Sequence, residues 1–274
     1  MNASGKITGR EGKVRELVEL TSGIPASDGD GVRLTRIIGS PEINMVDPFL
    51  LLDSFESDQP DDYIGGFPDH PHRGFETVTY LLAGRMRHKD SAGHEGVIEP
   101  GGVQWMTAGR GIVHSEMPEQ DNGLLQGFQL WVNLPAAEKM TAPVYQEFSA
   151  SEIPVEKLEV GALVKVIAGQ TDRGIVGPVK NAITEPLYLD VQLGQGTRFQ
   201  QHMPNTHSGF VYVIEGSVRI GAMGMELPTR TLGVLDDGDT IEVTSGDADN
   251  RFLIIAGKRL NEPVARGGPF VMNT

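Results

Sequence analysis

The sequence has no cysteine, which removes disulfide bridges, thiolate metal sites and thiol redox chemistry together. Any redox activity must then come from a bound metal or cofactor. Basic residues are also short, 23 Lys and Arg against 37 Asp and Glu, for a formal net charge of −14. A surface of that sign repels a phosphate backbone, so direct nucleic-acid binding is disfavoured and a role at DNA would need a protein intermediary. No window approaches 18 uninterrupted apolar residues, and Met1-Asn2-Ala3-Ser4-Gly5-Lys6 leads into mixed polar sequence, not an apolar signal core. The expectation is a cytoplasmic protein with no membrane partner. Helical periodicity is scarce: Arg10 to Leu20 is a short candidate helix, and Ala136 to Met140, after Pro135, a candidate turn or two.

What the chain has in quantity is glycine and proline, 35 and 17 in 274 residues. They punctuate short apolar runs such as Val32 to Ile38 and Asp47 to Leu52, the pattern of strands and tight turns in an all-β protein. The length is near twice that of a usual domain, and the sequence turns polar between about Pro135 and Leu158. We therefore expect an N-terminal domain over 1–140, a linker over 141–157 and a second domain over 158–274. An internal echo supports related halves. His72-Arg73-Gly74-Phe75 has a partner in His207-Ser208-Gly209-Phe210, and each leads into an apolar run before Gly84 or Gly216. Thr107-Ala108-Gly109 aligns loosely with Thr244-Ser245-Gly246. With no βαβ alternation in sight, the halves are expected to be sandwich or barrel units.

Seven histidines occur, and four chemically useful residues fall in two pairs, His70-Pro71-His72 and His114-Ser115-Glu116. Side chains at i and i+2 of a strand share a face, so each pair presents two ligand atoms side by side. Two such strands facing one another give three nitrogens and one carboxylate. That set suits Fe(II), Mn(II), Ni(II), Cu(II) or Zn(II), and the residues alone do not choose among them. A closed four-coordinate zinc would be structural, whereas an ion with open positions could take a substrate and dioxygen. His88 and His94 flank the turn-rich Asp90-Ser91-Ala92-Gly93 and are assigned to an exposed hairpin loop. His202 and His207 are assigned structural or exposed places. Trp105 and Trp131 lie in apolar strands and read as core, with a pocket role for whichever faces the metal. Asp28-Gly29-Asp30-Gly31 lacks the later acidic ligands of a calcium loop and reads as a turn.

Three long segments resemble the pirin family of the cupin superfamily: Asp47 to Asp53, His70 to Tyr80, and Val103 to Glu116. The likeness continues through Phe128 to Pro135 and returns at Gly268 to Thr274, so it spans nearly the whole chain. It implies a bicupin, two antiparallel β-barrel domains with few short helices, and one iron, Fe(II), in the N-terminal barrel on residues matching His70, His72, His114 and Glu116. The general cupin pattern would recruit a Glu four residues after the second His, here Glu76. Pirins resemble one another in taking the later carboxylate, so Glu76 is expected behind the ligands, orienting one of them. In the second half, the echo places Asn205 at the position of His70 and Arg251 at that of His114, so the C-terminal barrel is expected to lack a metal set. Relatives usually continue into a further helix beyond the position of Thr274.

The resemblance implies an activity like that of quercetin 2,3-dioxygenase. A flavonol-like aromatic substrate and dioxygen would meet at the metal, the heterocycle opening with loss of carbon monoxide. Glu116 would serve both as a ligand and as the general base for the substrate hydroxyl. The alternative, from another class, is an iron-containing co-regulator whose oxidation state alters its surface for a protein partner, without turnover. A third reading is a cupin isomerase or small-molecule binder with a structural metal.

Overall fold

The structure is a computed structural model that describes residues 12–158, 161–181, 183–246 and 248–274. Its elements are almost all strands. The first group is β1 (Leu17–Thr21), β2 (Ile24–Asp28), β3 (Val32–Ile38), β4 (Phe49–Ser57), β5 (Phe67–His72) and β6 (Phe75–Ala83). There follow β7 (Met86–Asp90), β8 (Glu95–Ile98), β9 (Val103–Thr107), β10 (Ile112–Pro118), β11 (Leu125–Asn133) and β12 (Val144–Phe148). The second half holds β13 (Val155–Lys157), β14 (Leu163–Ala168), β15 (Leu187–Leu193), β16 (Arg198–His202), β17 (His207–Glu215) and β18 (Ser217–Ile220). It closes with β19 (Met225–Pro228), β20 (Leu232–Leu235), β21 (Thr240–Ser245), β22 (Asn250–Lys258), β23 (Ala265–Gly267) and β24 (Phe270–Met272).

Two barrels result, each a seven-stranded antiparallel sheet closed by a four-stranded one. The first has orders β12-β9-β6-β11-β4-β3-β2 and β5-β10-β7-β8; the second has β1-β20-β17-β22-β15-β14-β13 and β16-β21-β18-β19. Read side by side, the orders match strand for strand, so the two halves share one topology. Gly84 and Gly216 occupy the same hairpin, after β6 and after β17, at φ of 83° and 74°. That left-handed conformation is open to glycine at no steric cost. The fold is all-β and bicupin, as expected.

The central strands of the large sheets are buried on both faces, which is why they read as nearly continuous apolar runs. In β17, Val211 and Val213 point into the second barrel, while Phe210 and Tyr212 join Val78, Tyr80, Trp105, Phe128 and Leu130 between the barrels. One buried polar knot lies in that interface. Tyr80 Oη donates to Asp190 Oδ2 at 2.6 Å, and the Arg251 guanidinium holds both Asp190 oxygens at 3.0 and 2.7 Å. A lone buried carboxylate would be costly; here every partner is supplied across strands.

Several expectations change. Of the segment Arg10 to Leu20, residues 10 and 11 lie outside the described residues, and β1 forms where a helix was expected. Leu17 is buried in the second barrel's core and pairs with Leu235, so a strand partner far along the chain overrides the local pattern. Ala136–Glu138 is a single 3₁₀ turn, within the turn or two expected after Pro135. The polar stretch 141–157 carries β12, which extends the first barrel's sheet, and β13, which extends the second's. The four-residue echo is out of step with the strands, because His72 closes β5 whereas His207 opens β17. Likewise Thr107 ends β9, but Thr244 lies in β21, the counterpart of β10. Arg251, in β22, is therefore not the counterpart of His114. Among the described residues no helix is long and apolar enough to cross a membrane.

Candidate metal centre

The interiors of the two barrels differ in kind. The second is filled with hydrocarbon, including Phe199, Ile241, Val243 and Ile254. In the first, the small sheet brings imidazoles inward. β5 and β10 are antiparallel with His70 directly opposite His114, and the i, i+2 alternation puts His72 on the same side as His70. The ligand nitrogens of His70, His72 and His114 all lie within 4.8 Å of one another, and among the described residues they are the one such group.

Hydrogen bonds decide which nitrogens face the centre. His70 Nδ1 is bonded to the Pro68 carbonyl at 2.8 Å, which turns its Nε2 toward His72 Nε2, 3.0 Å away. His114 Nδ1 faces His88 Nδ1 at 3.4 Å, leaving Nε2 buried with no protein partner. Burial, reinforced by the neighbouring His70, pushes the His72 imidazole down to about 3; burial, then His72, His70 and His88, drives His114 well below its ordinary value. Both rings are neutral at physiological pH and have lone pairs to give. Two nitrogens each about 2.1 Å from one ion and about 90° apart would sit about 3.0 Å from each other, the spacing of adjacent octahedral positions. The donor set, the orphaned His114 Nε2 and the close His70–His72 pair therefore fit a divalent ion.

Glu116 is not among the three convergent groups, but it stands beside them. A register shift between His114 and Glu116 marks a bulge, and the carboxylate is 3% exposed. Thr79 Oγ1 donates to its Oε1 at 2.6 Å, and Gln129 Nε2 lies 3.4 Å from its Oε2. A cavity of about 410 Å³ opens here, lined by His70, His72, Glu116, Gln129 and Trp131 among others. Trp131 is thus the tryptophan at the metal pocket, with its ring 5.1 Å from that of His72. Trp105 stays in the core between the barrels.

Glu76 lies elsewhere. Gly74, at φ 86°, breaks the strand between β5 and β6, so the alternation counted from His72 does not carry across it. The Glu76 carboxylate accepts from Thr107 Oγ1 at 2.7 Å, Trp105 Nε1 at 3.1 Å and Asn181 Nδ2 at 2.5 Å, and none of its hydrogen bonds reaches an imidazole. Burial raises its pKa, offset by those three donors. The expected ligand-orienting contact is replaced by one that ties the first barrel to the second.

His88 is the larger surprise. Expected in an exposed loop, it is fully buried in β7 behind His114. The signal was present: in Met86-Arg87-His88-Lys89-Asp90 the outward charges Arg87 and Lys89 alternate with buried Met86, His88 and Asp90. Thr79, Gln104 and Gln129 carry no such signal, since threonine and glutamine in a strand are ordinary. His94 is exposed in the turn of the β7–β8 hairpin, as expected, His202 is exposed, and His207 is buried with Nε2 against the Glu185 carbonyl at 3.0 Å. Asp28 to Gly31 forms the β2–β3 turn, and Asp28 also pairs with Arg36 at the pocket.

Comparison with known proteins agrees with this architecture. The family model described as Pirin matches residues 31–132, and the one described as Pirin C-terminal cupin domain matches residues 188–274. The chain is 54% identical over 261 residues to a pirin-like protein of Caulobacter vibrioides, covering 95% of this chain and 94% of that one. It is 49% identical over 253 residues to pirin of Rattus norvegicus, covering 90% and 84%. Among solved structures it is similar to a quercetin 2,3-dioxygenase from Acinetobacter baumannii, with a TM-score of 0.86, 34% identity, and coverage of 95% and 93%.

Proposed function

The chain belongs to the pirin family, and on that premise we propose that it is a metal-dependent dioxygenase acting on flavonol-type aromatics. The observation that carries this reading is the convergence of three imidazoles, two of them held neutral, beside a buried carboxylate in a cavity of small-ligand size. The ligands would be His70, His72, His114 and Glu116, and Fe(II) is the ion we favour. When bound, a divalent ion held by three imidazoles and one carboxylate would keep positive charge and would supply Lewis-acid and dioxygen chemistry beside a flavonol hydroxyl.

The remaining work falls to the protein. Glu116, fixed by Thr79 and Gln129, is positioned to accept the substrate hydroxyl proton on a carboxylate oxygen. Trp131 supplies a flat apolar wall against which an aromatic ring can pack. Burial of His72, His114 and Glu116 keeps bulk water from the reacting face. The resemblance to a quercetin 2,3-dioxygenase supports the substrate class. A second reading draws on the net charge of −14, which suits a protein partner, not DNA: the iron's oxidation state would change affinity for that partner without turnover.

The test is metal analysis of anaerobically purified protein, followed by oxygen uptake with quercetin, in wild type, His114→Ala and Glu116→Gln. About one iron per chain in wild type, its loss in His114→Ala, and uptake only in wild type are expected. Bound metal without uptake would refute the dioxygenase and favour the co-regulator, whose partner affinity would then differ between ferrous and ferric forms.

A further inference from the structure

Behind His114 lies a second layer of side chains that the reaction as described does not use. His88 is fully buried, and its Nδ1 is approached from two sides, by His114 Nδ1 at 3.4 Å and by Gln104 Nε2 at 3.2 Å. Its Nε2 is buried without a hydrogen-bond partner and faces Asp90 Oδ2 at 3.6 Å. Asp90 is itself held from the far side, by the backbone amides of Ala92 and His94 on Oδ1 and by His94 Nδ1 on Oδ2 at 2.9 Å. Tyr145, from β12, packs against both rings, 4.9 Å from His88 and stacked 5.0 Å from His94.

The arrangement favours one assignment. With the Gln104 amide placed so that Nε2 faces His88, it donates there and His88 Nδ1 offers a lone pair. The His88 proton then sits on Nε2, the nitrogen facing the Asp90 carboxylate. With a lone pair at His88 Nδ1, the His114 Nδ1 must carry the hydrogen that points at it. His114 Nε2 is left bare, and that is the atom directed at His70 and His72 without a partner.

We infer that His88 is a positioning residue that fixes His114 as an Nε2 ligand, with Gln104 and Asp90 in turn fixing His88. This rests on the metal-centre reading above and goes beyond it, because it assigns His88, Gln104 and Asp90 a function in metal holding though none of them is a ligand. Partners of this kind orient a ligating imidazole and raise its basicity, and their loss typically costs 10–100-fold in metal affinity.

The experiment is Zn(II) binding to the metal-stripped protein, by competition with a chelator, in wild type, His88→Leu and His88→Asn. Leucine removes the acceptor; asparagine restores one, since its Oδ1 lies where the imidazole Nδ1 was. Zn(II) affinity is expected to fall about 10–100-fold in His88→Leu and to return to near the wild-type value in His88→Asn. A merely space-filling role would not give that rescue. Nitrogen-15 spectra of the Zn(II)-loaded wild type need no variant, and should show hydrogen on Nδ1 of His114 and on Nε2 of His88. Equal Zn(II) affinity in His88→Leu and wild type, failure of the folded His88→Asn to recover, or the opposite tautomers would each overturn the inference while leaving the metal centre intact. Wild type that takes up no Zn(II) and no iron would remove the centre itself, and the inference with it.

Discussion

Acidifying the metal-stripped protein should destabilise the first barrel, and a measurable part of the effect can be isolated in one side chain. His72 is 3% exposed and its pKa lies at about 3, against 6.5 for an exposed imidazole. The unfolded chain therefore binds a proton near pH 6.5 that the folded chain refuses until about pH 3. Stability is present in full above pH 6.5 and is lost as pH falls from there toward the folded value. Between pH 7.5 and 5.0 the loss from this group is about 2 kcal/mol, set by the unfolded-state proton because the folded ring stays neutral throughout. His114 shifts in the same direction and adds to the slope. Against a usual total of about 5–15 kcal/mol, such a change is readily measured. Both tryptophans of the chain lie in strands of the first barrel, Trp131 at the pocket and Trp105 in the core shared with the second, so urea unfolding followed by tryptophan fluorescence reports the first barrel together with that junction. In His72→Gln the drop in stability between the two pH values should be smaller than in wild type by about 2 kcal/mol. Equal drops in the two proteins would show that His72 is not held neutral by burial, and the account of why it is a ready ligand would fail.

Two further predictions concern the frame around the site. Tyr80→Phe removes the hydroxyl bound to Asp190 but leaves both Arg251 contacts, so it should lower stability by about 1–3 kcal/mol in thermal or denaturant unfolding, with metal content unchanged. Gly74→Ala would place a Cβ 1.9 Å from the Val271 carbonyl oxygen at a backbone φ of 86°, and should cost about 3 kcal/mol or more while loosening the metal, since His72 is two residues away. Full stability with normal metal content in that variant would mean the β5–β6 corner is not needed to aim His72.

The two candidate pairs could be picked out because a period of two is all that is needed to see that His70 with His72, and His114 with Glu116, can share a face, and the structure brings the three histidines together. The rule does not carry across Gly74 with its positive φ, and Glu76, expected behind the ligands, serves the junction between barrels instead. Where it was not applied it would have helped, since Arg87 and Lys89 announce that His88 points inward. The echo between halves was real as topology but misplaced as alignment. Sheet order and hairpin glycines are retained in both halves, whereas the interior residues have diverged between imidazoles and aliphatics. The strand at Leu17 was hidden for a different reason: its partner, Leu235, lies at the other end of the chain, and local patterning carries no information about it.

That pairing also bears on how the molecule is made. All strands of the first barrel have emerged by Phe148, so it can close while synthesis continues, whereas β1 must wait for Leu232–Leu235. Counted from Phe148 to Leu235, at elongation rates of about 5–20 residues per second, the delay is roughly 4–17 s. Throughout it, an apolar-edged strand hangs from a finished barrel without its hydrogen-bonding partner. A ribosome-bound chain paused before residue 232 should therefore bind chaperone through the segment around Leu17, and release it once β20 has been made.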